Sequence, residues 1–154
     1  MIFYIAADHR GFALKTSLSK YLKDSGYEVV DLGPETLVPD DDYPDYAIKL
    51  GEKISSNPDN SRGVVICGSG VGADIVTNKF PRIRCSLVMT PDQAFLARND
   101  DDANVLALSS ELIDDTAAKT ILATWIQTPF SGEDRHVRRI SKIRDAEMKA
   151  REMN

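Results

Sequence analysis

Short apolar runs alternate with longer amphipathic segments along most of this chain, and that rhythm restricts the fold more than any other feature. The runs at 2–7, 28–31, 63–67, 84–89 and 104–108 have strand length and are rich in Val, Ile, Leu and Ala. Between and after them, segments 11–25, 44–56, 72–79, 91–98 and 114–127 carry apolar residues at helical spacing. A helix after each strand requires crossover connections, and crossovers join parallel strands. The expected fold is therefore α/β, a doubly wound five-stranded parallel sheet in a Rossmann-like three-layer sandwich. No repeat or linker interrupts the pattern, so residues 1–154 are expected to form a single domain, and 42% apolar residues supply its core.

The last segment, 133–151, departs from this rhythm. It follows Pro129-Phe130-Ser131-Gly132, is strongly charged, and has only Val137, Ile140 and Ile143 as an apolar stripe. It reads as an extra C-terminal helix that packs on a partner subunit, or equally as a solvated tail.

Several function classes are disfavoured. No apolar run approaches the roughly 20 residues that span a bilayer, so no membrane role is expected. Met1 leads straight into Ile2-Phe3-Tyr4-Ile5 with no basic segment before it, which fits a cytoplasmic protein. A net charge of -5 argues against nucleic acid as a partner. Against that background, Arg135-His136-Val137-Arg138-Arg139 is a local basic cluster suited to a small anion. Two cysteines, Cys67 and Cys85, make no disulfide framework, and neither histidine lies at metal-ligand spacing from a cysteine. A zinc site is therefore not expected.

In an open parallel sheet, ligands bind beyond the carboxyl ends of the strands. Three polar clusters are expected there, converging on one pocket: Asp8-His9-Arg10-Gly11, Cys67-Gly68-Ser69-Gly70-Val71-Gly72, and Asn99-Asp100-Asp101-Asp102. The glycine segment joins a strand to a helix, so its backbone N–H groups can gather around an anion. It reads alternatively as a tight turn with no ligand. Gly68-x-Gly70-x-x-Ala73, with Asp92 downstream, also fits a dinucleotide fingerprint, although it follows the third strand and not the first. Cys67, at a strand end facing those N–H groups, suits a base or nucleophile, or a small buried apolar residue. His9 suits phosphate binding or proton transfer, with Asp8 orienting it or capping the next helix. Arg135, Arg138 and Arg139 suit an anion clamp, or a solvated helix face.

Together these residues resemble type B ribose-5-phosphate isomerases and the related galactose-6-phosphate isomerase subunits. The resemblance covers nearly the whole chain. It rests on Ala7-Asp8-His9-Arg10-Gly11 with Leu14-Lys15, Asp42-Tyr43-Pro44-Asp45-Tyr46, Val65-Ile66-Cys67-Gly68-Ser69-Gly70-Val71-Gly72 and Asn78-Lys79. Asp102-Ala103-Asn104-Val105-Leu106-Ala107 and Arg135-His136-x-x-Arg139 complete it. It implies an aldose–ketose isomerase with no metal and no cofactor, acting on a sugar phosphate through an enediolate, with ribose 5-phosphate as leading substrate. It also implies a homodimer or homotetramer whose sites draw on two chains.

Carried over, Cys67 is the base, Ser69 and the amides of Gly68, Gly70, Val71 and Gly72 hold the enediolate, and Asp8 assists ring opening. Tyr43 contacts the sugar, and His9, Arg135 and Arg139 hold the phosphate. Three residues depart from the family pattern. Asp100-Asp101 stand where type B enzymes carry His-Asn, the histidine being tied to ring opening, so Asp100 inherits a catalytic position and Asp101 a sugar-binding one. Glu111 stands where an arginine commonly helps with the phosphate, and its charge is expected to repel that group. These changes imply a different sugar or sugar phosphate as substrate, or a site that binds without turnover.

Overall fold

The computed structural model describes residues 1–153. Strands β1 (Ile2–Ala7), β2 (Glu28–Asp31), β3 (Ser61–Cys67), β4 (Cys85–Leu87) and β5 (Val105–Ser109) form one sheet in the order β2-β1-β3-β5-β4. Every neighbouring pair is parallel. Helices α1 (Phe12–Asp24), α2 (Tyr43–Ser56), α3 (Val71–Thr77), α4 (Pro91–Asn99) and α5 (Asp115–Gln127) follow the strands in turn, and α6 (Asp134–Glu152) extends beyond them. The expected α/β sandwich with an extra C-terminal helix is what the chain forms.

Period-two alternation divides the core between the two faces of the sheet. Phe3, Ile5, Ala7, Val64, Ile66, Leu106 and Leu108 meet α1, α4 and α5 on one side. Ala6, Val65, Cys67, Val105 and Ala107 meet α2 and α3 on the other. Because α1 leaves β1 over one face and α3 leaves β3 over the opposite face, the chain opens a crevice at the carboxyl ends of β1 and β3.

β4 is shorter than its apolar run because side chains claim both ends. The Arg84 N–H donates to Asn104 Oδ1, and the Met89 N–H donates to Gln93 Oε1 in the first turn of α4. No described helix is long and apolar enough to cross a membrane.

The Asn99–Asp102 cluster is not at the crevice. A segment that precedes a parallel strand lies at that strand's amino end, so 99–102 sit at the edge opposite the carboxyl end of β3. The four steps along the strand from Gly63 to Cys67 alone put about 13 Å between the two edges. The dinucleotide reading loses its geometry similarly. Asp92 begins α4 after β4, and β5 lies between β4 and β3.

α6 forms as expected but stands partly apart. His136 is its one buried residue among those described. The His136 Nδ1 is 2.7 Å from Ser131 Oγ, and its Nε2 is 3.7 Å from Asp100 Oδ1. Farther along, the Glu147 carboxylate accepts the Arg82 N–H at 3.0 and 3.1 Å. Val137, Ile143 and Met148 remain about half exposed.

The turn from β1 into α1 passes so close to β3 that residue 11 has no room for a side chain. A Cβ on Gly11 would lie 2.9 Å from the Ile66 carbonyl oxygen and 2.9 Å from Ala7 Cβ. Gly11→Ala should therefore lower stability by about 1–3 kcal/mol in urea unfolding, because backbone must move to admit the methyl group.

Candidate active site

Residues 68–70 connect β3 to α3 and form the floor of the crevice. Gly70 caps α3 with φ +79°, and its N–H donates to Cys67 Sγ at 3.2 Å. A side chain is excluded here twice over. The positive φ disfavours an L residue, and a Cβ would lie 2.5 Å from Leu87 Cδ1. Cys67 itself is only 4% exposed. Its side chain thus neighbours an amide donor in a dry setting, where a thiolate gains most from such a bond.

The loop is pinned from the end of β5. The buried Ser109 hydroxyl donates to the Gly68 carbonyl at 2.6 Å, and the Glu111 N–H donates to the same carbonyl at 3.1 Å. The Ser110 N–H donates to the Cys67 carbonyl at 3.1 Å. These contacts hold the Cys67-to-Gly70 backbone in one conformation. Ser69 is exposed beside them, and its hydroxyl accepts the Val71 N–H at 3.3 Å.

Glycines at 68 and 72 admit other side chains against the loop. The Arg10 guanidinium covers Gly68, where a Cβ would meet it at 2.7 Å, and pairs with Glu111. The carboxylate expected to repel a phosphate is thus already compensated. Tyr43, the first residue of α2, lies over Gly72, where a Cβ would fall 2.7 Å from its hydroxyl.

Asp8 and His9 close the other wall. Asp8 is 4% exposed, and its Oδ1 accepts the Gly11 N–H at 3.0 Å, which closes the turn before α1; Gly11 itself is the N-cap, with no side-chain cap bond. His9 is fixed by Asp41, whose Oδ1 accepts the His9 backbone N–H and the ring Nδ1–H, both at 2.8 Å. A carboxylate only accepts, so Nδ1 carries the proton and Nε2 faces away from Asp41. That bond, aided by the charges of Asp8 and Asp41, raises the His9 pKa above its ordinary value. Burial works against Asp41, yet the His9 bonds hold its carboxyl below the usual range. The Tyr46 hydroxyl is pushed up to about 12, by burial first and then by Asp41.

Asp8, His9 and Asp41 have ligand-type atoms within 4.8 Å of one another. Asp8 Oδ1 and Asp41 Oδ1 are committed to hydrogen bonds already described, and the grouping works as a histidine anchor.

One chain thus gathers Cys67, Gly68, Ser69, Gly70, Val71, Gly72, Asp8, His9 and Tyr43. It does not bring Asp100, Asp101, Arg135 or Arg139 to them. Asp100 accepts from Asn99 Nδ2 at 2.7 Å and faces His136 at the opposite edge. Arg84 Nε donates to the Asp101 carbonyl, and Arg135 Nε donates to Glu133 at 2.8 Å. Asp41, Arg10, Glu111 and Ser109 as structural partners escape sequence reasoning. Asp41 is hidden in Asp40-Asp41-Asp42, which reads only as an acidic run, and its contact spans 32 residues.

In an NMR pH titration, the His9 ring should titrate above 6.5, and Asp41→Asn should return it toward that value.

The ribose/galactose isomerase family model matches residues 3–143. The probable ribose-5-phosphate isomerase B of Mycoplasma genitalium is 42% identical over 140 residues, 91% of each chain. Ribose-5-phosphate isomerase B of Mycobacterium tuberculosis is 35% identical, over 94% of this chain and 88% of that one. Among solved structures, the M. genitalium enzyme with bound ribulose 5-phosphate superposes with a TM-score of 0.93 and 41% identity, covering 96% of both chains. The Clostridium thermocellum ribose-5-phosphate isomerase B gives 0.92 and 38%, over 97% of this chain and 99% of that one. By sequence and by fold, this chain belongs to the ribose/galactose isomerase family.

Proposed function

We propose that this protein interconverts ribose 5-phosphate and ribulose 5-phosphate through an enediolate, with Cys67 as the base. The observation that carries this reading is the Gly70 N–H donated to Cys67 Sγ in a buried, pinned turn at the crevice. The thiolate takes the C2 proton of the open-chain aldose, and the electron pair forms the C1–C2 double bond. The amides of Gly68, Gly70, Val71 and Gly72, with the Ser69 hydroxyl, receive the charge that develops on oxygen. The hydroxyl proton on O2 passes to O1, and the thiol returns the abstracted proton to C1 as the C2–O bond becomes the carbonyl of the ketose. Every group in this sequence belongs to the chain, and no metal or cofactor enters it.

The choice of sugar is supported by the relatives' names and by the ribulose 5-phosphate in the M. genitalium structure. His9 holds the phosphate through Nε2, Tyr43 contacts the sugar, and Asp8 assists ring opening. Arg135, Arg139, Asp100 and Asp101 belong to the reading only if a second copy presents its opposite edge to the crevice. The site would then be shared in a homodimer or homotetramer, with α6 packing on the partner. The half-exposed Val137 and Ile143 of α6 support that arrangement, as does the separation of the two residue sets. Asp100 would work beside His136, which favours a related sugar phosphate as the alternative substrate.

Cys67→Ala should lower kcat for ribose 5-phosphate by about 10²–10⁴ without changing the circular dichroism spectrum. Unchanged turnover in that variant would overturn the assignment. Mixing inactive Cys67→Ala with inactive Arg139→Ala protein should restore roughly a quarter of wild-type activity, since half of randomly formed dimers then carry one intact site. No recovery on mixing would place Arg139 and Cys67 of one site in the same chain, or Arg139 outside it.

A further inference from the structure

A second charged cavity lies at the amino edge of the sheet, far from Cys67. Its volume is about 470 Å³, and it is bounded by the start of β3, the 82–84 loop and α6. Five arginines line it, at 62, 82, 84, 98 and 144, against three carboxylates, Asp59, Asp102 and Glu147. The side-chain charge of the lining is +2 on a chain whose net charge is -5.

Two of the carboxylates are already committed. Asp102 accepts from Arg84 Nη2 at 2.8 Å and from Arg98 Nη1 at 2.7 Å. Glu147 accepts the Arg82 N–H and pairs with Arg151 at 3.1 Å. Arg62 forms no ion pair among the described residues, and its buried Nη1 has no hydrogen-bond partner. The Arg98 side chain is 4% exposed, and its Nε also lacks a partner. Both guanidinium groups lie over the buried Trp125 ring, at 5.3 and 5.9 Å from its centroid. Burial, together with the Arg98 charge, lowers the Arg62 pKa to about 10. Arg62 is thus a partly buried cation with no ion pair beside the cavity, and an anion there would offset its charge.

The wall is also rigidly built. The buried Asn104 donates from Nδ2 to the Arg82 carbonyl and accepts the Arg84 N–H at Oδ1, both at 2.8 Å. This bracket holds Arg82 at φ +61° between the two bonds.

We propose that this cavity is a second anion site, which takes the phosphoryl group of free phosphate or of a phosphate monoester. A dianion matches the net charge of the lining, and guanidinium forks fit its oxygens in pairs. The site is distinct from the phosphate grip assigned to His9. Arg135 and Arg139 take no part in its lining, although it shares α6 with them. Because Arg144 and Glu147 are α6 residues while Arg62 and Arg98 belong to the body, a bound phosphate ties α6 to the sheet edge.

The test is an NMR titration of the ¹⁵N-labelled full chain with inorganic phosphate at constant ionic strength. Arginine Nε–H and Asn104 side-chain signals report this cavity, and the Gly70 amide and His9 ring report the crevice. The expected result is a saturable shift of Arg62, Arg98 and Asn104 signals, weakened about tenfold or more in Arg62→Gln. The exposed Arg144→Gln should weaken it also, and serves alone if Arg62→Gln does not fold. Loss of the crevice response with this one kept would leave the proposal standing and count against the phosphate role of His9. The proposal is overturned if these signals do not saturate, if chloride at equal ionic strength shifts them equally, or if Arg144→Gln leaves the affinity unchanged.

Discussion

A single hydrogen bond, from the Gly70 N–H to Cys67 Sγ, organises the active end of this molecule. It requires residue 70 in the left-handed region and without a side chain, and both conditions are met only by glycine. It also requires that the loop not relax, which the bonds from Ser109, Ser110 and Glu111 to the carbonyls of Cys67 and Gly68 ensure. The β3–β5 pairing brings those residues alongside, with Cys67 opposite Ser109. The chemistry assigned to Cys67 thus depends on strand register as much as on the thiol.

The same parallel register explains why the site residues separate into two sets. A parallel sheet has two unlike edges, with strand ends at one and strand beginnings at the other. Asp8, His9 and the glycine loop follow strands, whereas Asp100 and Asp101 precede one, and α5 returns the chain to that edge before Arg135 and Arg139. No rotation of side chains closes such a gap within one chain. The proposed chemistry would need a second copy to bring the two sets together, and the amino edge keeps a charged cavity of its own.

Much of this was legible in the residues. The alternation of apolar runs and helical segments predicted all five strands: β1, β3 and β5 are largely buried on both faces and so nearly continuous in apolar residues, whereas the mostly exposed β2 is marked only by Val29 and Val30. Glycines 68, 70 and 72 announced a tight strand-to-helix turn, and Cys67 lies there. The edge on which Asn99–Asp102 falls was misplaced, since a polar cluster beside a strand does not by itself reveal which end it flanks. The pairings of Asp41 and Arg10 were invisible for another reason. Each acts through a contact between distant segments, Asp41 with His9 and Arg10 with Glu111, and only the assembled sheet brings those together. Glu111 looked like a misplaced charge until Arg10 supplied its partner.

The most direct test of the central claim is deuterium incorporation at C2 of ribose 5-phosphate in heavy water, followed by NMR. Wild-type protein should exchange that proton, Cys67→Ala should not, and the two proteins should bind the sugar phosphate comparably. Exchange at the wild-type rate in Cys67→Ala would show that another group moves the proton, and would contradict the role assigned to Cys67.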